Sequence, residues 1–139
     1  MRLQIFYDDT TYKFRGWRNF KKLVAEIIQS EGKTTGAISF IITSDENLRA
    51  INKEFLSHDY FTDVITFNYS TNDTISGEIY ISEETVRKNS VDYNVTPDNE
   101  MLRVMIHGIL HLLGHNDETD TEKLKMTQLE DRWICQITQ

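Results

Sequence analysis

Apolar residues recur along the chain with two different periods, and the switches between those periods mark out its elements. Leu3 to Tyr7 alternates as a first strand does. Phe14, Trp17, Phe20, Val24, Ile27 and Ile28 then fall at helical spacing, and Gly32 stands where such a helix would stop. Ala37 to Thr43 reads as a buried strand, followed by Ser44 as the N-cap of a short helix carrying Leu48, Ile51 and Phe55 inward. Two more strands, Asp63 to Tyr69 and Ile75 to Ser82, are joined by Ser70-Thr71-Asn72-Asp73-Thr74, a loop of hairpin length. A short helix is predicted over residues 83–91.

Thr96 and Pro97 supply a cap and a favoured first helical residue. The helix they open runs to Leu113 and is apolar on several faces: Met101, Leu102, Val104, Met105, Ile106, Ile109, Leu110, Leu112 and Leu113. A helix apolar almost all round is a central one, packed on more than one side. Gly114 can end it in a left-handed turn. Thr119-Asp120-Thr121-Glu122 is a capping-box pattern for a last helix that faces Leu124, Leu129 and Trp133 inward. The pattern predicts one α+β domain over residues 1–139, a mixed sheet of about four strands around a central helix.

Composition narrows the class. With 39% hydrophobic and 11% aromatic residues, a chain of 139 residues can bury one real core. Residues Met1 to Asp9 carry no long apolar stretch of the kind a secretion signal needs, and no apolar run reaches membrane-spanning length. The lone Cys135 cannot form an internal disulfide, which fits a cytoplasmic setting. Its apolar neighbours predict a passively packed thiol.

A net charge of −7 argues against a generic nucleic-acid binder, whose affinity comes from neutralising phosphates. Charge is unevenly spread, however. Lys13, Arg15, Arg18, Lys21 and Lys22 lie close together with no acid between Asp9 and Glu26. Acids crowd around Asp117, Glu118, Asp120 and Glu122, and at Glu130-Asp131. A basic face on an acidic protein can still guide a polyanion, although an ordinary solvated helix flank has the same composition.

The candidate chemistry lies in His107-Gly108-Ile109-Leu110-His111-Leu112-Leu113-Gly114-His115-Asn116-Asp117. Histidines four apart on a helix project from one face, one turn apart, and can reach a single metal ion. Gly114 lets the chain fold back, which would bring Asp117 to a third ligand position. Three protein ligands leave a position for water, the arrangement of a catalytic rather than a structural zinc site. A solitary histidine on an apolar helix is usually a hydrogen-bonded core residue; the pair ahead of a glycine stop favours the metal. The spacing H-x-x-x-H-x-x-G-x-x-[H/D] follows the ligand pattern of the metzincin proteases. Their glutamate after the first histidine is absent, because Gly108 holds that place.

With these residues the sequence resembles the YbeY-type endoribonucleases. The resemblance covers the chain from about Ile38 onward. It rests on Asn52-Lys53-Glu54-Phe55, Asp59-Tyr60-Phe61-Thr62-Asp63-Val64-Ile65-Thr66-Phe67, Gly77-Glu78-Ile79-Tyr80-Ile81 and the specific block His107 to Gly114. It implies a zincin-like fold and a metal-dependent, single-strand-specific endoribonuclease acting in ribosomal RNA maturation at the small-subunit 3′ end and in ribosome quality control. The expected cofactor is one zinc ion on His107, His111 and Asp117. The expected partners are single-stranded RNA and the ribosome or its proteins.

Two departures from the family pattern stand out. Asp117 occupies the place of the family's usual third histidine, and carboxylate oxygen is an acceptable zinc ligand. His115 is the rival for that role. Leu56 stands where the family commonly has a functional arginine, so His58 or Lys53 is a candidate phosphate contact. Tyr60, Phe61 and Tyr69 are candidate stacking platforms for bases, with core packing the favoured alternative. The rival functions are a metallopeptidase-like hydrolase of another substrate, and a non-catalytic ribosome-assembly factor whose metal staples the fold. A fourth ligand such as His115 would favour the last.

Overall fold

The computed structural model describes residues 1–58 and 62–138. Its order is β1 (Arg2–Tyr7), α1 (Trp17–Ser30), β2 (Thr34–Thr43), α2 (Asp45–Leu56), β3 (Val64–Asn68), β4 (Thr74–Ser82), α3 (Glu83–Asp92), α4 (Pro97–Leu112) and α5 (Asp120–Ile137). The strands form one mixed sheet in the order β1-β2-β4-β3, with β1, β2 and β4 parallel and β3 antiparallel to β4. The α+β class and the four-stranded mixed sheet are as the sequence pattern predicts.

Strand periodicity assigns the two faces of this sheet. Phe40 pairs with Ile79 and Ile42 with Ile81, so these side chains share a face. Phe20 of α1 meets Phe40 edge-on at 5.5 Å, and α4 rests on the same face at Ile79. Val24, Ile27, Met101, Met105, Ile106, Ile109 and Leu110 complete the core between sheet and helices. On the opposite face, Phe67 touches Tyr80 and Phe55 of α2 through edge contacts of 5.7 and 5.9 Å.

Helix starts follow local chemistry. The side chains of Ser44, Ser82, Thr96 and Thr119 each accept a hydrogen bond from a backbone N–H in the first turn of α2, α3, α4 and α5. At Thr119 the capping box is complete, since the Glu122 carboxylate also accepts from the Thr119 N–H.

The structure corrects four inward placements. Phe55 is 61% exposed, because the buried stripe of α2 runs through Leu48 and Asn52, and it reaches the sheet through an edge contact with Phe67. Leu124 is also 61% exposed; the buried stripe of α5 is Met126, Glu130, Trp133 and Ile134. Cys135 is exposed, lying beside that stripe rather than on it. Phe14 precedes α1 instead of belonging to it, and reaches the core by an edge contact with Phe20 at 5.8 Å. Among the described residues no helix is long and apolar enough to cross a membrane.

Candidate metal centre

Helix α4 is the most enclosed element, and His107 and His111 lie on the one stripe of it left partly open. Its approach to the sheet is set by Gly108. A Cβ at that position would stand 2.7 Å from Ile79 Cγ2, so the helix packs there by its backbone. A side chain at 108 would therefore press into β4.

Past Leu113 the chain reverses through Gly114, at φ 95°. The Gly114 N–H donates to the His111 carbonyl and the His115 N–H to that of Leu110, both at 3.0 Å, a Schellman ending. Three residues later the Asp117 carboxylate returns to the two imidazoles. His115 leaves in another direction and meets Glu31 at the end of α1, with Nε2 2.8 Å from Oε2. The turn is thus pinned by Glu31 on one side and by the Thr119 capping box on the other.

His107 Nε2 and His111 Nε2 are 3.0 Å apart. Asp117 Oδ2 lies 3.3 Å from the first and Oδ1 3.4 Å from the second. Tetrahedral ligands at zinc's usual bond lengths of about 2.0–2.1 Å stand roughly 3.3 Å from one another, so this donor set fits such an ion. Among the described residues these three form the cluster able to hold a metal. All three are partly exposed, so the cluster is reached by solvent.

A carboxylate from α5 lies behind the triangle. His107 Nδ1 donates to Glu130 Oε2 at 2.6 Å, and Arg103 Nη1 donates to Glu130 Oε1 at 3.1 Å. Arg103 Nη2 reaches Asp131 at 2.7 Å. Burial would lower the His107 pKa, but the hydrogen bond and charge of Glu130, with Asp117 and Asp63, raise it above the ordinary value. His111 is lowered, by burial and by the neighbouring His107 charge, against the pull of Asp117. Burial raises the carboxyl of Asp63, opposed by the His107 charge. It also raises that of Glu100, opposed by Arg103.

Neither Glu130 nor Asp63 emerged as a site residue from the sequence. Glu130 did leave a signal, an acid at i+4 from Met126 and i−3 from Trp133, on the buried stripe of a helix. Lys53, Leu56 and His58 lie exposed at the end of α2 and beyond it, outside the three-residue cluster. Tyr69 is 59% exposed and donates its hydroxyl to Glu78, so it is not a core residue. Tyr60 and Phe61 lie outside the described residues. In the basic run, Lys13 covers the Tyr7 ring at 4.1 Å, while Arg15, Arg18 and Lys22 are exposed. Arg18 is about 20 Å along α1 from Glu31, the residue that holds the turn beside the metal centre.

A mixed α+β sheet carrying two histidines on a central helix and a carboxylate on the following turn defines a zincin-like metalloprotein. The profile of the family described as Endoribonuclease YbeY matches residues 5–138. The chain is 42% identical over 126 residues to the Endoribonuclease YbeY of Flavobacterium psychrophilum, covering 91% of this chain and 90% of that one. It is 36% identical over 137 residues to the protein of that name from Chlorobaculum tepidum, covering 99% and 98%. The solution structure of TM1509 from Thermotoga maritima superposes with a TM-score of 0.68 at 29% identity, over 97% of this chain and 88% of that one. The chain belongs to the YbeY endoribonuclease family.

Proposed function

We propose that this chain is a metal-dependent endoribonuclease that binds one zinc ion through His107 Nε2, His111 Nε2 and the Asp117 carboxylate, and cleaves single-stranded RNA. The observation that carries the reading is the convergence of the two Nε2 atoms at 3.0 Å with the Asp117 carboxylate, whose Oδ2 is 3.3 Å from His107 and whose Oδ1 is 3.4 Å from His111, all three residues being only partly buried. When bound, zinc supplies an acidified water and charge neutralisation for a phosphate oxygen. The histidines present their Nε2 atoms, and Asp117 adds negative charge that favours a dication. His115 is engaged by Glu31, which supports an open site over a fourth protein ligand that would make the metal a staple. The contact of position 108 with Ile79 speaks against a protease arrangement with its glutamate beside the first histidine. Family membership supports ribosomal RNA of the small-subunit 3′ end as substrate, a role in ribosome quality control, and ribosomal proteins as partners. Lys53 and His58 are candidate phosphate contacts. An unstacked single strand offers base edges and faces for recognition that a stacked duplex hides.

The test is a cleavage assay with rigorously nuclease-free protein. Zinc-loaded protein should cut a single-stranded RNA, lose activity with chelator and regain it with zinc, and spare a duplex of the same sequence. Absence of RNA cleavage at any zinc loading, together with peptide hydrolysis, would overturn the substrate.

A further inference from the structure

Glu130 is an acid almost wholly withdrawn from water, at 6% exposure, on a helix otherwise remote in sequence from the histidines. Burying a carboxylate is costly unless its oxygens are satisfied. Here both are: Oε1 accepts from Arg103 and Oε2 from His107 Nδ1. Arg103 lies one helical turn before His107 on α4 and is steadied by Asp131 on α5. A simple bridge between α4 and α5 is already supplied by Arg103 and Asp131 at the surface. The buried arm reaching His107 needs another reason.

An imidazole has two nitrogens, and the partner of one decides which carries the proton and where the ring points. With Nδ1–H given to Glu130, the lone pair of Nε2 is directed at His111 and Asp117. We infer that Glu130 is a positioning residue for the metal centre, fixing the tautomer and ring plane of His107, and that Arg103 holds Glu130 for that task. This rests on the metal-centre reading above. Carboxylate partners of this kind also raise the basicity of the ligating ring, and their loss typically costs about 10–100-fold in metal affinity.

The experiment titrates metal-free full-length protein with cobalt(II), reading affinity and the visible d–d absorption, with no RNA present. Glu130→Gln keeps the size of the side chain and an oxygen that can accept from Nδ1–H, but removes the charge. It should bind cobalt about 10–100-fold more weakly, with a shifted absorption band. Glu130→Asp, which keeps the charge, should recover part of the loss. Arg103→Gln disturbs a half-exposed residue and should weaken binding in the same direction by less, which keeps the inference testable if Glu130→Gln fails to fold. A role confined to joining α4 and α5 would lower the melting temperature of the metal-free protein without moving the band or the affinity. That outcome overturns the inference and leaves the metal centre standing. A parent chain that takes up no cobalt overturns both.

Discussion

The rings of His107 and His111 meet edge to face, with centroids 4.5 Å apart and planes at 73°. Helix geometry brings them one turn apart, and their Nε2 atoms converge to 3.0 Å rather than diverging into solvent. Two aromatic rings packed only for burial have no need to aim their nitrogens at each other. The Asp117 carboxylate, split between the two nitrogens, completes the convergence.

Replacing any corner of this triangle should therefore cost more than the roughly 10–100-fold that losing a supporting partner costs. Zinc titrations by calorimetry should show His107→Ala and His111→Ala losing tight binding. Asp117→Ala should follow them, whereas His115→Ala should retain zinc because His115 is turned toward Glu31. Asp117→His should retain it as well, since imidazole nitrogen is an equally good donor. If His115→Ala loses zinc and Asp117→Ala keeps it, the third ligand has been misassigned.

Glu100 offers a stability experiment whose sign depends on pH. Burial raises its carboxyl above the ordinary 4.5, with Asp63 and Glu130 adding to the rise and Arg103 opposing it. The folded chain thus holds this proton more tightly than the unfolded chain. Its contribution is fully present below the unfolded pKa and is lost as pH rises through the higher folded value. Glu100→Gln removes that loss. Melting curves of the metal-free proteins should favour the variant at neutral pH, and the advantage should shrink toward about pH 4. An advantage that grows on acidification would contradict the burial argument.

Features written in local chemistry were legible in the sequence. Ser44, Thr96 and Thr119 announce helices because their oxygens satisfy first-turn N–H groups only a few residues away. Gly114 announces the return of Asp117 because few other residues accept its backbone angle. Features made by distant elements were not legible. Nothing near Cys135 or Leu124 tells which face of α5 will meet α4, so their apolar character misleads while Glu130 takes the inner stripe. The contact from Glu130 to His107 exists only once α5 folds back along α4, and Asp63 reaches the field of His107 only through the sheet.

Gly108 is the close approach between α4 and β4, and its replacement should show how tightly the site is seated. Gly108→Ala places a methyl against Ile79. Overpacking of about 1–3 kcal/mol should outweigh the ~1 kcal/mol that alanine contributes to a helix. Urea unfolding should report a modest net loss. Gly108→Glu, which imitates the protease motif, should fall well below the alanine variant and acquire no peptidase activity. Parent-like stability for the glutamate variant would mean that the helix is not held against Ile79.

The basic run on α1 separates binding from chemistry. Arg15 just before the helix and Arg18, Lys21 and Lys22 in its first half lie away from the turn that carries Asp117, so they can attract RNA without touching the bond that breaks. Replacing Arg15, Arg18, Lys21 and Lys22 by glutamine should weaken RNA binding and flatten its dependence on salt, because fewer counterions are released. Under saturating RNA the cleavage rate should fall far less than the affinity, the pattern of lost ground-state binding. Leu56→Arg carries the opposite expectation. Leucine cannot bind phosphate, whereas a guanidinium at the exposed end of α2 offers a planar fork of donors to it. Cleavage should rise in that variant, with zinc affinity unchanged because Leu56 is outside the donor triangle. A quadruple glutamine variant with unaltered affinity and salt slope would remove α1 from the RNA path. A Leu56→Arg protein with lower activity at full zinc occupancy would show that this chain engages RNA by a route without the arginine.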